Sequence, residues 1–166
     1  MKRTGFTLIE LLVVISIILV TFSFGIASFN QFNRRERIRQ AALNLKSTLR
    51  FAQSKALSAE KPDSASTCSP SAVPCCTTYY GVQVSFSATG YTVRHSCTPE
   101  GLVGPTTTVT FPTGITFVTI PSTFTYLTTN SLDQTLDQTI TLTNGVATYV
   151  IEVLRNGTIN DKGLSP

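Results

Sequence analysis

Hydrophobic and polar positions divide the chain into three stretches. From Phe6 to Phe29 the sequence FTLIELLVVISIILVTFSFGIASF is apolar and carries one charge, Glu10. A run of about 18 or more apolar residues predicts a membrane-crossing helix, because the hydrocarbon core is roughly 30 Å thick and a helix rises about 1.5 Å per residue. Ser16, Thr21, Ser23 and Ser28 fit such a helix, since a short hydroxyl can bond a carbonyl of the preceding turn. From Asn30 to Lys61 there is neither Pro nor Gly, and Pro62 ends the pattern. Within it Ile38, Ala42, Leu45, Leu49, Ala52, Ala56 and Ala59 recur at spacings of four and three, which is one apolar stripe on a helix. The expectation is a single rod from Phe6 to about Glu60, roughly 80 Å long. Its second half lays the stripe on whatever follows, and Gly25 is the soft point of its first half.

Residues 62–78, rich in Ser, Pro and Cys, predict a loop, and from Tyr79 the period changes to two. Strands are expected at Tyr79–Phe86 and Tyr91–Ser96 around a Ser87–Gly90 turn, then at Thr106–Phe111, Ile115–Ile120 and Phe124–Thr128. Pro99–Pro105 reads as a second loop. Gln138–Thr143 and Val146–Leu154 flank Asn144-Gly145, a strong hairpin signal, and Asn156-Gly157 permits a last short strand at Thr158–Asn160. Seven or eight short strands make an antiparallel β head. The fold class is therefore α+β: a long N-terminal helix, half membrane-crossing and half amphipathic, packed on an antiparallel sheet or a two-sheet sandwich.

Glu10 is the anomaly, because a charge at the bilayer centre costs about 2.5–3.5 kcal/mol on insertion scales and so marks a functional position. Upstream lies Met1-Lys2-Arg3-Thr4-Gly5, in which the small residue precedes the apolar run. A secretory signal has its cleavage site after that run. Here, a cut after Gly5 would remove the charges and keep the helix. The sequence K-R-T-G-F-T-L-I-E resembles the class III leader of type IV pilins and type II secretion pseudopilins. That resemblance implies cleavage between Gly5 and Phe6 and N-methylation of Phe6 by a prepilin peptidase. It also implies a register role for Glu10, which would pair with the Phe6 amine of an adjoining subunit. As a plain helix residue, Glu10 would instead suit the dipole of the first turn by about 0.3–1 kcal/mol.

The resemblance implies a leader at 1–5, a transmembrane and assembly helix at 6–29, an amphipathic helix at 30–61 and an extracytoplasmic head at 62–166. L-R-F-A-Q-S-K-A-L at Leu49–Leu57, V-T-F-P-T-G-I at Val109–Ile115 and Y-V-I-E-V-L-R-N-G-T-I at Tyr149–Ile159 are similar to motifs of the GspH/FimT group of minor pseudopilins and pilins. A major pseudopilin fits less well, for no acidic C-terminal loop resembles its calcium site. The late disulfide pair usual in major pilins has no counterpart after Cys97.

Charge changes the picture only when divided. Residues 1–61 hold ten Lys/Arg against three acids, +7, and residues 62–166 hold three against six, −3. Arg34, Arg35, Arg37 and Arg39 lie beyond the apolar run, where positive charge would favour the cytoplasmic side. The leader implies the opposite orientation, and four cysteines in the head agree with an oxidising compartment. The expected location is the bacterial inner membrane, crossed once, with the head in the periplasm or outside before incorporation into a filament. Those four arginines have two further readings, a lipid-headgroup contact or a solvated helix face.

Catalysis finds little support: His95 is the single histidine, and no Ser/His/Asp or paired-carboxylate grouping stands out. Cys68, Cys75, Cys76, Cys97 and His95 lack a CxxC pair, which disfavours zinc. Disulfides are expected instead, with Cys75 and Cys76 each joined to one of Cys68 and Cys97 in either arrangement. Asn156-Gly157-Thr158 matches a glycosylation acceptor but is better explained as a turn. No metal or cofactor is expected. Partners implied by the resemblance are the peptidase, other pilin or pseudopilin subunits, an inner-membrane assembly platform and membrane lipid before assembly. Two functions follow. One is a minor subunit that initiates or caps a secretion pseudopilus or type IV pilus. The other is a FimT-like minor pilin that captures DNA, disfavoured because Arg94, Arg155 and Lys162 are scattered and outnumbered.

Overall fold

The computed structural model describes residues 7–60, 78–98 and 101–165, with helix residues 23–28 described by their backbone alone. A single helix, α1, runs from Leu8 to Leu57, about 75 Å at 1.5 Å per residue. The described side chains of its first half are all exposed as far as Phe22. Its second half buries Ile38, Ala42, Leu45, Leu49, Ala52 and Ala56 completely, with Ala41 alongside. Small alanines at the far end let strands approach the helix backbone closely.

Eight strands follow: β1 Thr78–Ser87, β2 Gly90–Thr98, β3 Gly101–Thr110, β4 Thr116–Phe117, β5 Phe124–Leu127, β6 Gln138–Thr143, β7 Thr148–Val153 and β8 Ile159–Ser165. They form two antiparallel sheets of order β3-β2-β1-β5 and β4-β6-β7-β8. The helix packs on β1 and β5 of the first sheet and on β6, β7 and β8 of the second. One apolar core joins the helix stripe to Val82, Val84 and Tyr91 on one side and Ile140, Leu142 and Ile151 on the other. Phe117 of β4 bridges the sheets, edge-on to Phe86 at 5.5 Å and Phe111 at 5.1 Å between ring centroids. This is the expected α+β architecture, with helix and two sheets sharing one interior.

Several boundaries differ from the sequence reading. The rod stops at Leu57 rather than near Glu60, and Ala59 is exposed at φ +49° instead of extending the stripe. Ala59 N–H donates to the Ala56 carbonyl at 3.1 Å and Glu60 N–H to the Lys55 carbonyl at 3.4 Å. That pattern is a Schellman stop, in which the last carbonyls are satisfied by a left-handed residue. Alanine stands where glycine is usual, so Pro62 is the stop signal in the sequence and the earlier end is not announced. Gly101–Pro105, read as loop, belongs to β3. Pro105 is tolerated because β3 is an edge strand and its register slips opposite Val93 and His95.

Ile115–Ile120 yields only the two-residue β4: Ile115 and Phe117 turn inward while Val118 and Ile120 stay exposed. The last strand is longer than expected, because a bulge between Val150 and Ile151 lets pairing with β7 continue to Ser165. The Asn144-Gly145 hairpin forms, but with a four-residue loop. Asn144 Oδ1 accepts from the Val146 and Ala147 amides at 3.1 and 3.0 Å, so the side chain closes the loop.

Candidate functional site

The helix start is built by four residues. Thr7, with extended backbone at φ −79° and ψ 150°, is the N-cap. Its hydroxyl accepts from the Glu10 amide at 3.3 Å, and Glu10 Oε2 accepts from the Thr7 amide at 3.4 Å and the Thr7 hydroxyl at 3.3 Å. This reciprocal capping box satisfies two of the donors that a helix start leaves open. Thr7-Leu8-Ile9-Glu10 is itself a T-x-x-E signature, so the N-cap role of Thr7, absent from the expectations for this segment, has a signal in the sequence. Glu10 therefore sits where a first-turn carboxylate suits the helix, among apolar neighbours such as Leu8 and Ile9 that are 82% and 71% exposed. Gly5 and Phe6 lie outside the described residues.

Further along, Ser16 Oγ donates to the Leu12 carbonyl at 2.8 Å and Thr21 Oγ1 to the Ile17 and Ile18 carbonyls at 3.0 and 2.9 Å. These two hydroxyls thus spend their donors within the helix. Among the described residues, no helix is long and apolar enough to cross a membrane. The apolar stretch described with its side chains runs from Leu8 to Phe22.

Among the described residues, polar contacts fix the head on the helix at several levels. Nearest the apolar half, Asn144 Nδ2 donates to the Arg34 carbonyl at 2.6 Å. Lys46 Nζ meets Asp161 Oδ2 at 2.8 Å, while Tyr149 donates to Asp161 Oδ1 at 2.7 Å. The Lys46 bond, followed by the Tyr149 bond, holds the Asp161 carboxyl below the usual carboxylate range. Burial, reinforced by Asp161, pushes the Tyr149 phenol up to about 12. Higher up, the Tyr91 hydroxyl donates to Thr48 Oγ1 at 3.1 Å, and Gln53 Nε2 donates to Asn130 Oδ1 at 2.7 Å and the Gly157 carbonyl at 3.0 Å.

His95 sits on β2 near the helix end. Its Nδ1 is 3.3 Å from the Tyr79 hydroxyl, and Lys55 pairs with Glu60 beside it. Burial, then Lys55, holds the imidazole below its ordinary pKa, so His95 is neutral at pH 7. The tyrosine is pushed up to about 12, by burial and then Glu60. Phe51, Lys55, His95 and Pro105 help to line a cavity of about 260 Å³. Cys97 is buried on β2 and disulfide-bonded, whereas Cys68, Cys75 and Cys76 lie outside the described residues. Among the described residues, no group of three metal-ligating side chains comes together.

Residues 1–26 match the model of the prokaryotic N-terminal methylation motif. No curated protein and no solved structure matches the chain. The matched residues include Gly5, Phe6, Thr7 and Glu10, so the capping box lies inside the motif. The chain therefore carries a class III prepilin leader, the N-terminal signature of type IV pilin-like proteins.

Proposed function

We propose that this chain is a minor pseudopilin or minor pilin, a non-enzymatic subunit that helps to initiate or cap a type II secretion pseudopilus or type IV pilus. The observation that carries this reading is Glu10, held in a capping box at the start of an exposed apolar helix within the methylation motif. In this reading, prepilin peptidase cuts between Gly5 and Phe6 and methylates the Phe6 amine. The helix over 6–29 holds the subunit in the inner membrane with its head outside the cytoplasm until the assembly platform moves it into a filament. There, the Glu10 carboxylate exchanges its local donors for the Phe6 amine of a neighbouring subunit. A carboxylate in an apolar bundle gains most from a cation partner, which sets the register between helices.

The same reading joins Cys97 to Cys75 or Cys76 and Cys68 to the other. Such bridges anchor the 62–77 segment to the first sheet and add about 2–4 kcal/mol. DNA capture by a FimT-like head lacks a supporting surface: Lys162 pairs with Glu152 at 3.2 Å, and Arg94 donates to the Leu102 carbonyl at 3.2 Å. Intact-mass measurement of the protein from strains with and without the peptidase tests the assignment. The mature form should lack Met1–Gly5 and carry one methyl group, and retention of the leader in both strains sinks it.

A further inference from the structure

We infer that the end of the head nearest the apolar helix half is a binding site for the headgroup of an anionic phospholipid. This rests on the membrane-anchoring reading above and deepens it. Arg34 and Arg37 of α1, the Thr113-Gly114-Ile115 turn and Asn144 line a cavity of about 310 Å³. Among the described residues, Arg34, Arg35 and Arg37 make no ion pair, while Arg39 reaches Glu36 at 3.9 Å. The cavity therefore offers two uncompensated guanidinium groups against a polar turn. Guanidinium matches phosphate with parallel N–H···O bonds.

Position selects a lipid as the source of that phosphate. The apolar sequence ends at Phe29, and Arg34 and Arg37 follow five and eight residues later. On one helix these lie about 7.5 and 12 Å further along the axis, in and just above a headgroup layer roughly 5–8 Å deep. Phe29 and Phe32, each 63% exposed, stand immediately below, where aromatic side chains favour the interface. The Asn144 bond to the Arg34 carbonyl fixes the hairpin at this level of the helix. The lipid phosphate would thus meet the cavity while its chains run beside the exposed face of Leu8–Phe22. Nucleic acid has no comparable track, since the basic residues of the head are paired, half-buried or isolated.

The test uses the mature full chain. Reconstitution into neutral phosphatidylcholine vesicles followed by flotation examines anchoring alone, and failure to float there overturns the anchoring reading and this site with it. Native mass spectrometry from detergent, with phosphatidylglycerol or phosphatidylcholine added, then examines the headgroup. Phosphatidylglycerol should be retained roughly tenfold more tightly. The preference should vanish in Arg34→Gln/Arg37→Gln, persist in Arg34→Lys/Arg37→Lys and be unchanged in Arg155→Gln. Thr113→Glu, which puts a carboxylate into the cavity wall without altering the helix, should also abolish it, so misfolding of the glutamine pair leaves the site testable. Flotation with no lipid preference, or a preference that survives Arg34→Gln/Arg37→Gln and Thr113→Glu, overturns the site alone. Displacement by millimolar inorganic phosphate would identify a soluble anion instead. Displacement by duplex DNA at physiological salt would identify a nucleic-acid surface.

Discussion

Gln53 of the helix donates its side-chain amide to the carbonyl of Gly157, 104 residues later, at 3.0 Å. The same nitrogen donates to Asn130 Oδ1 at 2.7 Å, so one helix residue ties the loop after β5 to the β7–β8 turn. Gly157 has φ +80°, and a Cβ there would lie 2.9 Å from both the Gln53 amide nitrogen and the Asn130 carbonyl oxygen. Glycine is therefore required both by the backbone and by the close approach. Gly157→Ala should destabilise the protein by about 1–3 kcal/mol, and Gln53→Ala by about 1 kcal/mol. Because the two share one contact, a double-mutant cycle by thermal unfolding should be non-additive. Additive losses would mean that the contact contributes nothing.

The sign of a glycine substitution tests the helix stop. Ala59 occupies the left-handed position of the Schellman motif at φ +49°. Ala59→Gly should stabilise by about 0.5–1 kcal/mol, because it relieves the Cβ clash of that conformation. Inside a helix the same change would cost about 1 kcal/mol. Leu49→Ala, in the fully buried stripe, should cost about 2–5 kcal/mol. A destabilising Ala59→Gly would place the helix end beyond Glu60.

Acid should loosen the seam through Asp161. Its carboxyl is lowered below the ordinary carboxylate range, chiefly by Lys46 and Tyr149. A depressed folded-state pKa gives stability that is present above the unfolded value, about 3.9, and is lost as pH falls through the folded value. Asp161→Asn should therefore weaken the protein at pH 7 and converge with the wild type in acid, once pH has fallen through the folded value. A gap of equal size at both pH values would show that the charge of Asp161 is not what matters.

Two substitutions at Glu10 separate its helix-start role from its charge. Glutamine at this position of a capping box can still bond the N-cap amide, whereas alanine cannot. Glu10→Gln and Glu10→Ala should both insert in the membrane, and both should be depleted from sheared filaments if pairing with an amine drives assembly. Normal incorporation of Glu10→Gln with loss in Glu10→Ala would assign Glu10 to capping alone.

Non-reducing peptide mapping should link Cys97 to Cys75 or Cys76, and Cys68 to the other. A Cys68–Cys97 bridge, or a free thiol at Cys68, would overturn that pairing.

Periodicity determined the helix and its buried face as far as Ala56: Ile38, Ala42, Leu45, Leu49, Ala52 and Ala56 are all fully buried, and only Ala59 of the stripe is not. Alternation located most strands, and Gln138–Thr143 was fixed to the residue. The methylation motif was equally legible, because its residues are contiguous, and Thr7 and Glu10 bond each other across three positions. Long-range pairing decided the rest. Gly101–Pro105 looks like loop because proline and two glycines weaken a strand, yet an edge position opposite β2 accepts them. β8 extends to Ser165 because its neighbour supplies partners that its own composition does not announce. Gln53, Asn130 and Gly157, like Arg34, Arg37 and Thr113, are unremarkable residues in sequence. They become sites only when the head closes on the helix, since a contact between residues about a hundred positions apart leaves no periodic trace in either segment.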